Sequence, residues 1–394
     1  MFKDKLEEVL NFFNPIRLID FSDTSFKSDK TSMGNNMMVN YDINPLSPAE
    51  KFEVALVCVN YELQSEGNVN TPQLIREQFY RLKRPSNALR IADLGNLIVG
   101  KDLNETNFAV QEVCALLFHM GVNVLLIGGS QYLTIGNFQA LKEFETDINL
   151  VHIDSKINLN VEDEIPGKFD YLNQLIEKNE SHLYNLACIG HQSYLVDQKQ
   201  INRLNEKYFE IFRLGKVRDK IEEVEPPIRD AHLVSFDISA IRLCDAPGQE
   251  DGSPNGLYAE EACRLARYAG ISDRVKSFGL YEIKAELDQE KRTTKLAAQI
   301  LWYYLEGYIN RKHDFPDIST MNYTKYEVQI DEIDFPIVFY RSCISNRWWI
   351  EVKKINNQTN SETATLVSCA ESDYLKACEN EISDRWWINF KKLS

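Results

Sequence analysis

The sequence predicts an α/β protein: a three-layer α/β/α domain around a mostly parallel sheet, followed by a small C-terminal α+β domain. Three observations predict it. Apolar runs of strand length, such as "FEVALVCVNY", "VNVLLIGG", "INLVHID", "YNLACIG", "AHLVSFDI" and "SFGLYEI", alternate with helical patterns. The runs are continuous and do not alternate with polar residues, which is how strands covered on both faces read. After "RKHDFPD" the pattern changes to short strands with paired tryptophans.

Taken in order, residues 1–48 read as an N-terminal helix and a polar arm, because 22–48 are polar and without period. Residues 49–317 carry the alternating β and α pattern, which argues for parallel strands joined by helices. Segments such as "NETNFAVQEVCALLFHMG" and "AEEACRLARYAG" space apolar residues helically, with glycine just past the end. In "TTKLAAQILWYYLEGYINRK", Leu296, Ile300, Leu301, Tyr304 and Leu305 fall on one stripe, a core-packing face.

Residues 318–394 form the third unit. It holds a near-repeat, "SNRWWIEV" at 345–352 and "SDRWWINF" at 383–390, too few copies for a solenoid. Two readings stand. Paired strands bury Trp348, Trp349, Trp386 and Trp387, with Arg347 and Arg385 over ring faces. Alternatively, these six residues form an exposed docking surface of the residue types that dominate interface hot spots.

The 394 residues suffice for one large domain with an appendage, or for two domains. A formal net charge of −15 argues against a nucleic-acid or anionic-membrane partner. The N-terminus has charges scattered through it and lacks a secretory apolar core. No apolar run approaches the roughly 20 residues that span a bilayer. The eight cysteines contain no C-x-x-C pair, so reduced, buried, structural thiols in a cytoplasmic protein are expected.

In parallel sheets, ligands sit outside the carboxyl ends of the strands. Those ends read "GGSQYLT" at 128–134, "DSKIN" at 154–158, "SFDISAIRLCDAPG" at 235–248 and "GLYEIKAELD" at 279–288. In that order they resemble the arginase, agmatinase and formimidoylglutamase superfamily, the ureohydrolases, whose patterns are G-G-D-H, D-A-H-x-D, S-F-D-x-D-x-x-D-P-x-x-A-P-G and E-V-N-P. The stretches "TPQLIR", "ADLGN", "IGHQSYL" and "SPNGLYAEEAC" fit too, so the resemblance spans residues 50–315.

The resemblance implies two Mn²⁺ ions held by two histidines and four aspartates, activating a water that attacks a guanidinium or formimino carbon. Position by position, those ligands fall on Gln131, Asp154, Lys156, Asn158, Asp237 and Ser239. Only Asp154 and Asp237, the positions that bridge both metals, keep the family's residue. The aspartate-proline that follows becomes Arg242 and Leu243. Glu282 matches the glutamate that recognises a guanidinium, and "VEDEIPGKFDYL" lacks the proton-shuttling histidine.

Neutral amide and hydroxyl oxygens are weak ligands for such cations, and a protonated lysine brings a cation where a cation belongs. The expectation is that the Lys156 ammonium pairs with Asp154 and Asp237, with help from Arg242. Glu282 is either a ligand-gripping residue or a salt-bridge partner of Arg242 or Lys284. His152, on the strand leading to Asp154, reads as a satisfied core residue. No catalytic residue, metal or other cofactor is expected.

The leading reading is therefore a catalytically inactive scaffold that binds protein partners and forms a homo-oligomer. The alternative is a metal-dependent hydrolase of linear amidines, with Mn²⁺ on Asp154 and Asp237. A further alternative is a sensor that grips a guanidino compound or amine without turning it over.

Overall fold

A computed structural model of the chain describes residues 2–60, 69–160, 170–178, 181–316, 322–356 and 361–393. Within them, one ten-stranded sheet is built from β1 (Phe13–Asn14), β2 (Met38–Val39), β3 (Val54–Cys58), β4 (Ile91–Leu97), β5 (Asn123–Ile127), β6 (Ile148–Ile153), β7 (Leu183–His191), β8 (Glu210–Arg213), β9 (Leu233–Asp237) and β10 (Ser277–Tyr281). Its order is β1-β4-β3-β5-β10-β9-β6-β7-β8, with β2 also on β4. Every pairing is parallel except that of β1 with β4.

Strand alternation explains the three layers. On β3, Val54, Leu56 and Cys58 join one core while Ala55 and Val57 join another. On β5, Leu125 and Ile127 divide from Val124 and Leu126 in the same way. Successive side chains point to opposite faces, so a continuous apolar run feeds two cores at once. The first is roofed by the helices Ala259–Ile271 and Arg292–Tyr308, the second by Leu103–His119 and Tyr171–Lys178. Leu296, Ile300, Leu301, Tyr304 and Leu305 are all buried, as their spacing predicts.

Two of the stretches singled out by sequence meet in this core. Arg76, on the helix Thr71–Phe79, donates to both carboxylate oxygens of Asp93 on β4, at 2.8 and 3.1 Å, and to Gly95 O at 2.8 Å. Arg76 also reaches Asn96 Oδ1, and Tyr80 Oη donates to Asp93. Both partners of the pair are buried, so these bonds compensate charges withdrawn from water.

The first 48 residues do not stand apart from the sheet. Helix Phe2–Leu10 packs Leu6 and Val9 into the core, and β1 and β2 extend the sheet edge. In the polar arm, Phe26, Met33 and Val39 are buried, spaced irregularly because they lie in turn on a 3-10 turn, a four-residue helix and β2, not on one periodic element.

The C-terminal unit is a four-stranded antiparallel sheet, β11 (Tyr323–Val328), β12 (Ile337–Ser342), β13 (Trp348–Asn356) and β14 (Ser361–Cys369), in that order, with helices Glu371–Cys378 and Asp384–Leu393 on one face. The expected boundary at 317/318 falls at residues outside the described ones. The two R-W-W copies differ. Trp348 and Trp349 lie on β13, whereas Trp386 and Trp387 lie on a helix whose Ser383 hydroxyl accepts from Trp386 N–H.

The exposed docking surface is corrected by this arrangement. Trp348, Trp349, Trp386 and Arg385 are 5%, 1%, 2% and 7% exposed, Arg347 is mostly covered, and only Trp387 is open, at 45%. Trp348 and Trp386 are buried in the C-terminal unit's own core, whereas Trp349, Arg347 and Arg385 are covered where the sheet docks on the large domain. Arg229 donates to Trp348 O at 3.0 Å and Cys369 O at 2.9 Å, with its guanidinium 4.7 Å from the Trp349 ring centre. Asp230 accepts from Ser368 N and Oγ. The cations over the tryptophan rings are Arg229, Arg341 and Lys391, not Arg347 and Arg385.

All eight cysteines are free; Cys244, Cys343 and Cys378 are exposed, contrary to the expectation that the thiols are buried, because they sit in turns and on an outer helix face. No helix among the described residues is long and apolar enough to cross a membrane.

Candidate functional site

Strands β5, β10, β9 and β6 are neighbours in that order. Their carboxyl ends therefore bring together the four motifs that lie far apart in sequence. Gln131 follows β5, Glu282 follows β10, Asp237 ends β9 and Asp154 follows β6; all line a cleft of about 360 Å³ together with Lys156, Asn158 and Ser239.

The end of β5 is shaped by backbone. Gly128 and Gly129 adopt φ of +87° and +70°, and a Cβ on Gly128 would sit 2.7 Å from Val59 O. The turn aims Gln131 N–H at Glu282 Oε1 at 2.8 Å, and Glu282 N–H returns to Gly129 O at 3.0 Å. Glu282 itself holds φ of +60°, unusual for a residue with a side chain, and these two bonds pin it there.

Asp154 is 1% exposed and fully engaged. Its Oδ1 accepts from Lys156 N–H at 2.9 Å and Ser239 Oγ at 3.2 Å, and its Oδ2 from Asn158 Nδ2 at 2.9 Å. Asn158 Nδ2 also donates to Gln131 Oε1 at 2.9 Å. Asp237, 7% exposed, accepts Ser239 N–H at 2.7 Å. Burial above all, then the Asp154 and Glu282 carboxylates, push the Asp237 carboxyl well above its ordinary range. Burial likewise raises Glu282, against the pull of the Gln131 N–H.

The two expected cations are elsewhere, which is a second correction. Lys156 Nζ lies 2.7 Å from Asp251 Oδ2 at the cleft mouth, with the lysine side chain 39% exposed. β6 ends at Ile153 and the chain bends at Ser155 and Lys156, so the period-two alternation that would set Lys156 beside Asp154 no longer applies. The backbone N–H of Lys156, not its ammonium, serves Asp154. Arg242 pairs with Asp245 at 2.8 and 3.0 Å and lies over the Tyr258 ring at 4.3 Å, so it neither reaches Glu282 nor lines the cleft.

His152 is the satisfied core residue its strand position predicts: Nδ1 meets Tyr171 Oη at 2.6 Å and Nε2 meets Lys156 O at 3.1 Å. Burial depresses its pKa. Among the described residues, no three His, Cys, Asp or Glu side chains gather as a metal-holding group. The stretch "VEDEIPGKFDYL", which lacks the shuttling histidine, falls largely at 161–169, outside the described residues.

Several lining residues escaped the sequence reading. Gln249, Glu250 and Asp251 close one side, and Ser130, Tyr132 and Tyr171 another. Gln249–Asp251 directly follow the "DAPG" of the third motif, a signal available in the sequence. Tyr171 opens the helix that follows the second motif and carries no such signal.

Comparison with known proteins agrees with this geometry. The model of the arginase family matches residues 52–306. A formimidoylglutamase of Staphylococcus haemolyticus is 26% identical over 250 residues, 61% of this chain and 79% of that protein. A crystal structure of Trypanosoma cruzi formiminoglutamase with Mn²⁺ superposes with a TM-score of 0.60 at 18% identity, covering 66% of this chain and 95% of that one. Proclavaminate amidino hydrolase from Streptomyces clavuligerus gives a TM-score of 0.57 at 20% identity, over 66% and 93% of the two chains. With the four strand-end motifs on adjacent strands and the family model matching well over half of its length, the chain belongs to the arginase family.

Proposed function

We propose that this arginase-family chain is a ligand-binding protein whose cleft holds a small cation of the amidine, guanidino or amine type without hydrolysing it. One observation carries the reading. Asp154, Asp237 and Glu282 converge on one cleft, while Lys156 and Arg242 are turned to Asp251 and Asp245 and Lys284 acts on Glu282 only through its charge. Partly desolvated carboxylates that repel one another favour a cation between them. A planar amidinium offers N–H donors matched to carboxylate oxygens, as a guanidinium does.

The donor set fits a pair of Mn²⁺ ions poorly. Where the family resemblance sets an aspartate and a histidine, Asn158 turns an amide N–H toward Asp154 and Gln131 bonds that same amide. Ser239 spends its hydroxyl on Asp154. Neutral donors of this kind hold hard or borderline dications weakly.

A second reading is metal-dependent hydrolysis of a linear amidine, with Asp154 and Asp237 as the ligands. It is favoured by the curated relatives, which include formimidoylglutamases from Staphylococcus haemolyticus and Bacillus subtilis.

The test is calorimetry of the full chain with agmatine, arginine and formiminoglutamate, each with EDTA and with Mn²⁺, alongside an assay for released ammonia, urea or formamide. Binding in EDTA without product supports ligand holding. Stoichiometric Mn²⁺ with turnover establishes the second reading.

A further inference from the structure

A second cavity, of about 210 Å³, lies at the opposite end of the sheet from the cleft, where the C-terminal unit docks. Its floor is the amino ends of β6, β7 and β8, represented by Asn149, Tyr184, Asn185 and Glu210. Its roof is β14 and the last helix, through Leu366, Val367, Ser368 and Arg385. The volume is far above the ~10–15 Å³ that one water needs, so it admits a small organic molecule.

Three buried polar atoms on these walls have no hydrogen-bond partner among the described residues: Tyr184 Oη, Asn149 Oδ1 and Arg385 Nε. Buried polar groups are nearly always satisfied, and orphans that line one cavity mark it as a place where something polar binds. Their surroundings bear both signs of charge. Arg385 Nε stands 4.0 Å from Glu210 Oε2, too far for a hydrogen bond, and Arg274 approaches Asp230 only to 3.9 Å. Asp147 completes the acidic side. Pro227, Leu366, Val367 and Leu393 supply an apolar wall.

We infer that this junction cavity binds a free α-amino acid with a short aliphatic side chain. Its carboxylate takes the Tyr184 hydroxyl and the guanidinium groups of Arg274 and Arg385. Its ammonium faces Glu210, Asp147 and Asn149 Oδ1, and its side chain lies on Leu366 and Val367. A ligand held by both units ties the C-terminal unit to the large domain, so occupancy is read directly as stability of the whole chain.

The experiment is thermal unfolding of the full chain with each of the proteinogenic L-amino acids at millimolar concentration. Small aliphatic amino acids raise the melting temperature by about 2 °C or more. Tyr184→Phe removes a hydroxyl that has no partner among the described residues, so it leaves the ligand-free melting temperature unchanged and shrinks the shift. Arg274→Gln shrinks it as well, and Asp237→Asn, in the cleft, leaves it intact. The inference is overturned if no amino acid raises the melting temperature, if either junction variant keeps the full shift, or if Asp237→Asn abolishes it.

Discussion

The Lys156 ammonium lies 2.7 Å from Asp251 Oδ2 at the mouth of the cleft, and what Lys156 gives to the Asp154 carboxylate is its backbone N–H, not its charge. That division leaves Asp154, Asp237 and Glu282 facing the cleft with no lysine or arginine of the described residues paired to them, and the proposed function rests on it.

Lys156→Met is therefore expected to cost less than about 1 kcal/mol, the usual size of a solvent-exposed pair. An ammonium seated between Asp154 and Asp237 would have cost roughly 3–5 kcal/mol on removal. Urea unfolding of the variant separates the two, and a loss in the higher range contradicts the geometry.

Arg76 and Asp93 give the opposite case. Both are buried and share two hydrogen bonds, so Arg76→Met strands a buried carboxylate and is expected to cost roughly 3–5 kcal/mol. Denaturant midpoints measure it; a change below about 1 kcal/mol would mean that the pair is not shielded from solvent.

Arg229 joins the two units through Trp348 O, Cys369 O and the Trp349 ring. Arg229→Met is expected to cost roughly 3 kcal/mol and to loosen the C-terminal sheet before the large domain. Limited proteolysis should then cut the C-terminal segment early while the rest survives. Simultaneous digestion of both would show that they unfold as one.

His232 sets a pH dependence. Burial first, then Arg274 and Lys276, hold its pKa down to about 3 from an ordinary 6.5, and Nδ1 accepts from Asn149 N–H at 3.0 Å. Between those values the unfolded chain binds a proton that the folded chain refuses. Stability is thus fully present above about pH 6.5 and falls as pH drops toward 3, by up to about 1.4 kcal/mol per unit from this group. His232→Asn keeps an acceptor and should flatten the slope in that window; an unchanged slope assigns the titration elsewhere.

The sheet and its layers were legible because continuous apolar runs such as Val54–Cys58 serve two cores at once. The convergence of Gln131, Asp154, Asp237 and Glu282 was legible because each motif sits at a strand's carboxyl end. What the sequence concealed was local. Lys156 lies past the end of β6, where alternation stops, and Arg242 is captured by Asp245 three residues on. The two R-W-W copies diverge through their flanks: Asn346, at φ +61°, precedes a strand, whereas Ser383 starts a helix. Identical triplets therefore do not carry their structure with them.

The most direct test of the cleft is calorimetric titration of agmatine into the full chain in the presence of EDTA, with Asp237→Asn in parallel. Metal-free binding at one site is predicted, weakened at least about 30-fold in the variant, since removing one member of a buried charge pair costs roughly 2–5 kcal/mol. Heat that appears only after Mn²⁺ is added, together with release of urea, would contradict it.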